Sequence, residues 1–153
     1  MMQMGNEKFA SSGSNDFLTF TLGHGEYGIN IDKVQEIHAY AMLSRLARAA
    51  DLSGDVTKLH GVIVPIVDIR TTFHRGLAEY SERSLVIILN VAKRVVGMLA
   101  DGVCDVISLN ADQIRPAHAY KGVIDTQYVM GVGTFDSRNL HLVDIEGLMS
   151  SRG

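Results

Sequence analysis

Residues 23–28 read Gly23-His24-Gly25-Glu26-Tyr27-Gly28, a literal G-x-G-x-x-G, the spacing with which a strand-to-helix turn holds a pyrophosphate. That chemistry needs a helix N-terminus aimed at the phosphates. The next residues, Ile29-Asn30-Ile31, alternate as a strand, so the motif is expected to be a hairpin turn rather than a nucleotide site. Cys104 is the only cysteine, and in an alternating strand it is expected to be a buried, inert thiol. The six histidines, His24, His38, His60, His74, His118 and His141, show neither H-x-H nor H-x-x-x-H spacing for zinc. No serine stands in a G-x-S-x-G elbow, and no two acids are placed to drive each other's pKa values apart. These residues favour a binding module with no catalytic centre, metal or cofactor. Asp32 and Asp101 read as N-caps that end a strand and start a turn. Glu36, on a one-turn helix expected over 32–37, would set a charge beside Val34 and Ile37, as at an interface rim.

The elements that must position these residues are short strands. Residues 1–16 are polar, rich in Ser and Gly, and aperiodic, so a flexible leader is expected there. Alternation over 17–22 and 27–31 predicts a hairpin, and residues 84–92 and 95–100 around a Lys93-Arg94 turn predict a second. Residues 61–67 are β-rich, with Pro65 expected at an edge or bulge. Residues 103–109, 128–135 and 140–143 add strands, and Asp144 is expected to cap a short closing helix. Residues 41–58 divide between helix formers and the breaker Ser53-Gly54-Asp55. With 15 Val and 12 Ile, the fold class is mainly β with short helices.

The 14 basic and 17 acidic residues form no positive stripe, which excludes nucleic acid as a partner. The longest apolar run, residues 85–89, falls far short of the ~20 residues that span a bilayer, so no membrane insertion is expected. One cysteine suits a reducing, cytoplasmic location. Mean hydropathy is nonetheless +0.12, so some apolar side chains are expected to serve partners rather than the core.

The chain also carries an internal echo. Gly28-x-x-x-Asp32-x-Val34-x-Glu36-Ile37 matches Gly97-x-x-x-Asp101-x-Val103-x-Asp105-Val106, and Gly61 leading to Val67-Asp68-Ile69 matches Gly131 leading to Val143-Asp144-Ile145. Two matches in the same order predict two related β units that pack together and leave a groove between them.

With these residues assembled, a family likeness is legible. FLTFTLG at 17–23, EYGI at 26–29, I-x-x-VQEI at 31–37, GVIVPIVDIR at 61–70, RVVG at 94–97, DGV at 101–103 and QIRP at 113–116 together resemble the CheW family of bacterial chemotaxis coupling proteins. The likeness runs from Phe17 to Met149 and places a CheW-like domain over 17–150. The resemblance implies two five-stranded SH3-like β-barrels around a shared core. It also implies a non-enzymatic adaptor that binds the cytoplasmic tips of chemoreceptors and the regulatory domain of the histidine kinase CheA. The receptor tip would lie in the groove against Ile31, Val34, Glu36 and Ile37 of the first unit and Leu85, Val86, Val96 and Gly97 of the second. Tyr40, Leu43 and Arg45 are the candidates for the kinase surface. The sequence departs from the family at His60, where an Arg precedes the Gly of the family's L-R-G segment and pairs with the acid matching Glu36. Imidazole is charged only in part near neutrality, so a Glu36–His60 pair is expected to be pH-sensitive, with receptor affinity rising as pH falls. Residues 46–58 lack the family's prolines, and Ala39 replaces its usual Gly.

Overall fold

The computed structural model describes residues 15–49, 56–67, 84–116 and 126–151; of the expected leader, 1–14 lie outside them, and Asp16 opens the first strand. Strands β1 (Asp16–Leu22) and β2 (Gly25–Asn30) pair antiparallel with Leu22 opposite Gly25. Gly23 sits at the turn with φ +59°, a left-handed conformation that glycine adopts at no steric cost. The G-x-G-x-x-G motif is therefore a hairpin, as expected. The second hairpin, β6 (Leu85–Val91) and β7 (Arg94–Ala100), turns one residue earlier than expected, through Ala92 and Lys93. Both have positive φ, 52° and 69°, which is the demand of a type I′ turn met without Gly or Asn.

Three local expectations are corrected. Residues 32–37 are not helical: a 3-10 turn covers Ile31–Lys33, and β3 runs from Val34 to Ala39. Its cap is Asn30, whose side chain accepts the Asp32 N–H at 2.9 Å, and not Asp32. Asp101 caps no helix either; it bends the chain between β7 and β8 (Gly102–Ser108), and its carboxylate accepts the Gly23 N–H at 2.6 Å, tying the two hairpins together. The undecided stretch resolves into helix α1 (Tyr40–Ala49) and strand β4 (Val56–Leu59). Strand β5 (Val62–Val67) lies between β4 and β7, but its pairing with β7 covers only Ile66 and Val67 among the described residues, so Pro65 stands on a locally open edge, as expected. It stands opposite Val56 at the end of the β4 ladder, just before parallel pairing with β7 begins at Ile66. That hand-over point is where a missing N–H costs a ladder least. Strands β9 (Ile114–Arg115), β10 (Val129–Phe135) and β11 (Arg138–Val143) and helix α2 (Ile145–Ser151) complete the chain. Asp144 caps α2 as expected, accepting the Gly147 N–H at 3.1 Å.

The sheets are ordered β8-β1-β2-β11-β10-β9 and β3-β6-β7-β5-β4, six strands and five where five and five were expected. Each hairpin sends its next strand away: β3 leaves the first hairpin to pair with β6, and β8 leaves the second to pair with β1. The two units thus exchange a strand. Their registers agree in detail, Val34 opposite Leu89 and Ile37 opposite Ile87 in one, Val103 opposite Phe20 and Val106 opposite Leu18 in the other. Between those pairs each exchanged strand carries one extra residue, a bulge at the same place in both. The first sequence echo is therefore structural. The second holds in part: Ile66 lies beside Gly97 as Leu142 lies beside Gly28, which equates Val67 with Val143. Gly61, however, is in a turn and Gly131 in a strand, so those two do not correspond. Asp68 and Ile69 lie outside the described residues.

Strands β6 and β7 are buried on both faces. Ile87, Leu89, Val96 and Met98 point into a core shared with Leu18, Phe20, Tyr27 and Ile29 of the first sheet. Val86, Ile88 and Leu99 point the other way, under Leu43 of α1. Burying each such side chain is worth about 1.5–3 kcal/mol, so separating the units would expose too much apolar surface for either to stand alone.

Candidate functional site

The residues singled out by the sequence meet along β3 and around the β4–β5 turn. Side chains alternate on a strand, but the bulge between Val34 and Glu36 resets the alternation. Val34, opposite Leu89, turns to the shared core, while Glu36 and His38, opposite Ile88 and Val86, share the other side; all three are half-buried, and Gln35, Ile37 and Ala39 are exposed. One Glu36 oxygen takes His38 Nε2 at 2.6 Å and the other takes His60 Nε2 at 2.8 Å. The expected Glu36–His60 contact is present, and the second imidazole was missed. Its signal was the E-x-H spacing, which faces two residues together on a strand and not on the helical turn expected there. The hydrogen bonds from His38 and then His60, with the charge each imidazole supplies, hold the Glu36 carboxyl below its ordinary range against an opposing desolvation. The two ring nitrogens take separate oxygens and do not converge, and among the described residues no three His, Cys, Asp or Glu side chains are grouped to hold a metal ion.

His60 itself is at φ +53° and Gly61 at +79°, a type I′ turn whose first position histidine fills less readily than asparagine. Around this contact stand apolar side chains in the open: Ile37 is 40% exposed, Val62 54% and Ile63 57%. Exposed apolar side chains thus lie on both segments that the Glu36–His60 contact joins.

Other expected site residues fall elsewhere. Ile31 and Val34 are half-buried against the shared core, and Leu85 is half-buried at the start of β6. Val86 and Val96 are core side chains and present nothing to a groove, because both faces of their strands are packed. Gly97 is buried too, and a Cβ there would lie 2.7 Å from Val86 Cγ1; its lack of a side chain serves packing rather than approach of a partner. Of the kinase candidates, Leu43 is wholly buried beneath α1, Tyr40 is half-buried with its N–H donated to the Ser84 carbonyl at 3.0 Å, and Arg45 is exposed. An open cleft of about 330 Å³ lies between the Ile31–Lys33 turn, β10 and the start of α2, crossed by a Lys33–Glu146 ion pair. None of the eight expected groove residues lines it.

A second polar cluster went unread in the sequence. Arg138 on β11 forks onto Asp105 of β8 at 3.1 and 3.2 Å and onto Glu26 of β2 at 3.1 Å through Nε. The fully buried Thr19 hydroxyl donates to Asp105 at 2.5 Å. These contacts hold the Asp105 carboxyl below its ordinary range, chiefly through Arg138 and then Thr19, and raise the guanidinium further above its own. Cys104, in the bulge beside them, is exposed and not buried as expected. Its thiol is still held protonated, by partial desolvation first and by the Glu26 charge second, which opposes nucleophilic chemistry.

The CheW-like domain family matches residues 16–153. The chemotaxis protein CheW of Klebsiella aerogenes is 51% identical over 136 residues, covering 89% of this chain and 82% of that one. The probable chemotaxis protein CheW of Rhizobium etli is 26% identical over 143 residues, covering 94% and 92%. Among solved structures, the scaffolding protein TtCheW of Thermoanaerobacter tengcongensis shares the fold with a TM-score of 0.71 at 24% identity, over 88% of this chain and 87% of that one. A strand-exchanged pair of SH3-like β units, matched over nearly its whole length, places this chain in the CheW family of chemotaxis coupling proteins.

Proposed function

We propose that this protein is a non-enzymatic cytoplasmic adaptor that joins the helical tips of chemoreceptors to the regulatory domain of the histidine kinase CheA in receptor arrays. The observation that carries the reading is the β3 surface. There Ile37 stands in the open, Ile31 and Val34 lie half-buried against the shared core beside it, and Glu36 supplies one charge on the other side of the strand. A helix laid there gains its burial from apolar anchors and its register from the charge. The exposed Arg45 and the half-buried Tyr40 of α1 are the residues proposed for the kinase side. No helix among the described residues is long and apolar enough to cross a membrane, which suits recruitment through receptors.

The test is reconstitution of a ternary complex from receptor tips, kinase and this protein. Ile37→Glu and Glu36→Lys, both away from the packed core, are expected to weaken capture by receptor tips at least tenfold while leaving circular dichroism unchanged. Full retention by both folded variants overturns the assignment of this face.

A further inference from the structure

Glu36 lies between two imidazoles from different parts of the fold. His38 shares its strand, whereas His60 reaches it from the β4–β5 turn. Leu59 and Val64 fix that hairpin in the core under α1, and the Thr57 hydroxyl donates to the Leu43 carbonyl at 2.7 Å, while the turn residues His60 and Gly61 are exposed. Among the described residues β4 is a sheet edge, and β5 pairs with β7 at Ile66 and Val67, with no partner strand beside Val62 to Pro65 on that side. The exposed turn itself is joined to β3 by the His60–Glu36 contact.

The elements packed on β3 supply little else to govern this contact. Strand β6 has no titratable side chain from Leu85 to Val91. Among the described residues, helix α1 contributes Tyr40 and Arg45 and the hairpin contributes Lys58 and His60; of these His60, with His38 on β3 itself, acts electrostatically on Glu36. With both rings neutral, each N–H donates to the ionised Glu36 carboxylate. With one proton added to a ring, both partners are charged and the contact gains a Coulomb attraction, modest where the imidazole is exposed. A second proton adds less, because the two imidazolium groups repel one another.

We propose that His38, Glu36 and His60 form a proton-driven latch that holds the β4–β5 turn against β3 in mildly acidic conditions and loosens it as the imidazoles lose their protons. The latch is a property of the fold. Its consequence, a partner surface of Ile37, Val62 and Ile63 that is better ordered at lower pH, rests on the function proposed above.

Amide hydrogen exchange of residues 57–64, corrected for intrinsic rates, reads the latch in the free protein at about pH 5.5 and 7.5, on either side of the histidine range. Protection in the wild type is expected to rise roughly threefold to tenfold at the lower pH. His60→Asn is the decisive variant, since Asn-Gly is the favoured type I′ pair and the turn itself is kept; its protection is expected to be independent of pH. Glu36→Gln is expected to remove the dependence as well. A flat wild type, or a His60→Asn protein that still responds, overturns the latch. Receptor-tip affinity at the same two pH values then separates the two readings. A parallel rise joins latch to partner, while exchange that responds with constant affinity leaves the latch standing and removes this face from the proposed function.

Discussion

Glu36 and Asp105 occupy the same point of the two units, just beyond the bulge on a strand given to the opposite sheet. Asp105 is clamped by a guanidinium that also holds Glu26, with a buried hydroxyl behind it. Glu36 is held by two imidazoles, one of them on a largely exposed turn. In the first unit the cation comes from β11; at the matching place on β5 the second unit has Val62, which points into the open. One unit has thus spent the position on a permanent four-strand tie, and the other has left it as an apolar surface beside a titratable contact. An Arg is charged at every pH a cell meets and a His is not. The same duplicated frame therefore yields a fixed half and an adjustable half.

The comparison breaks most readily at Arg138. Arg138→Met removes the guanidinium that bridges Asp105 and Glu26 and leaves two carboxylates in mutual repulsion. The expected loss is about 2–3 kcal/mol, seen as a lower urea midpoint at constant m. His60→Asn is expected to change stability at neutral pH by less than about 1 kcal/mol. Equal losses from the two variants would show that the halves are held alike.

A second contrast lies in the matched glycines. A Cβ on Gly97 would meet Val86 Cγ1 at 2.7 Å, with Ile66 and Ile88 behind it, whereas one on Gly28 would meet the far end of Leu142 at 3.1 Å. Val86 is packed under α1 and cannot swing aside. Gly97→Ala is expected to cost about 2 kcal/mol and Gly28→Ala about 1 kcal/mol by thermal or denaturant unfolding. The reverse order would place the tighter packing in the first unit.

How much of this was legible follows from the range of each interaction. Both hairpins were read from alternation, a signal carried by adjacent residues. The second turn was misplaced by one residue because Ala92 and Lys93 carry none of the chemistry that marks a type I′ turn. Asp32 and Gln35 mimic a capping box and so predict a helix around Glu36, although the cap in use is Asn30, two residues before Asp32. The exchange of β3 and β8 and the Arg138 tie join residues as far as 119 positions apart, Thr19 to Arg138 among them, and no local pattern announces such contacts. Family likeness supplied the Glu36–His60 pair. It could not supply His38, which depends on that segment being a strand.

The hairpin turns give a smaller effect of opposite sign. The first unit meets its positive φ with Gly23 and the second with Ala92 and Lys93. Lys93→Gly is expected to stabilise by about 0.5–1 kcal/mol, since relief of a left-handed side-chain residue outweighs the added entropy of the unfolded chain. A destabilised Lys93→Gly would mean that the side chain contributes a contact larger than that strain.

Acid titration gives the finest comparison. Both carboxyls are held below their ordinary ranges, Asp105 below 3.8 and Glu36 below 4.5. A depressed folded pKa contributes stability that is fully present above the unfolded value and is lost as pH falls through the folded one. Asp105→Asn is thus expected to cost about 1 kcal/mol at neutral pH and Glu36→Gln about 0.5 kcal/mol, both figures reduced for the solvent that reaches these side chains. Each deficit closes on acidification, beginning below 4.5 for Glu36→Gln and only below 3.8 for Asp105→Asn. Urea unfolding of the three proteins across that window resolves the order. Between neutrality and pH 4.5 the Asp105→Asn deficit should stay constant, because neither Asp105 nor the guanidinium opposite it changes charge there. The Glu36→Gln deficit should instead widen as pH falls through the histidine range, where the imidazoles gain the charge that only a carboxylate can use. Parallel curves for the two variants would reduce both contacts to the same kind of surface pair and remove the distinction between the fixed half and the adjustable one.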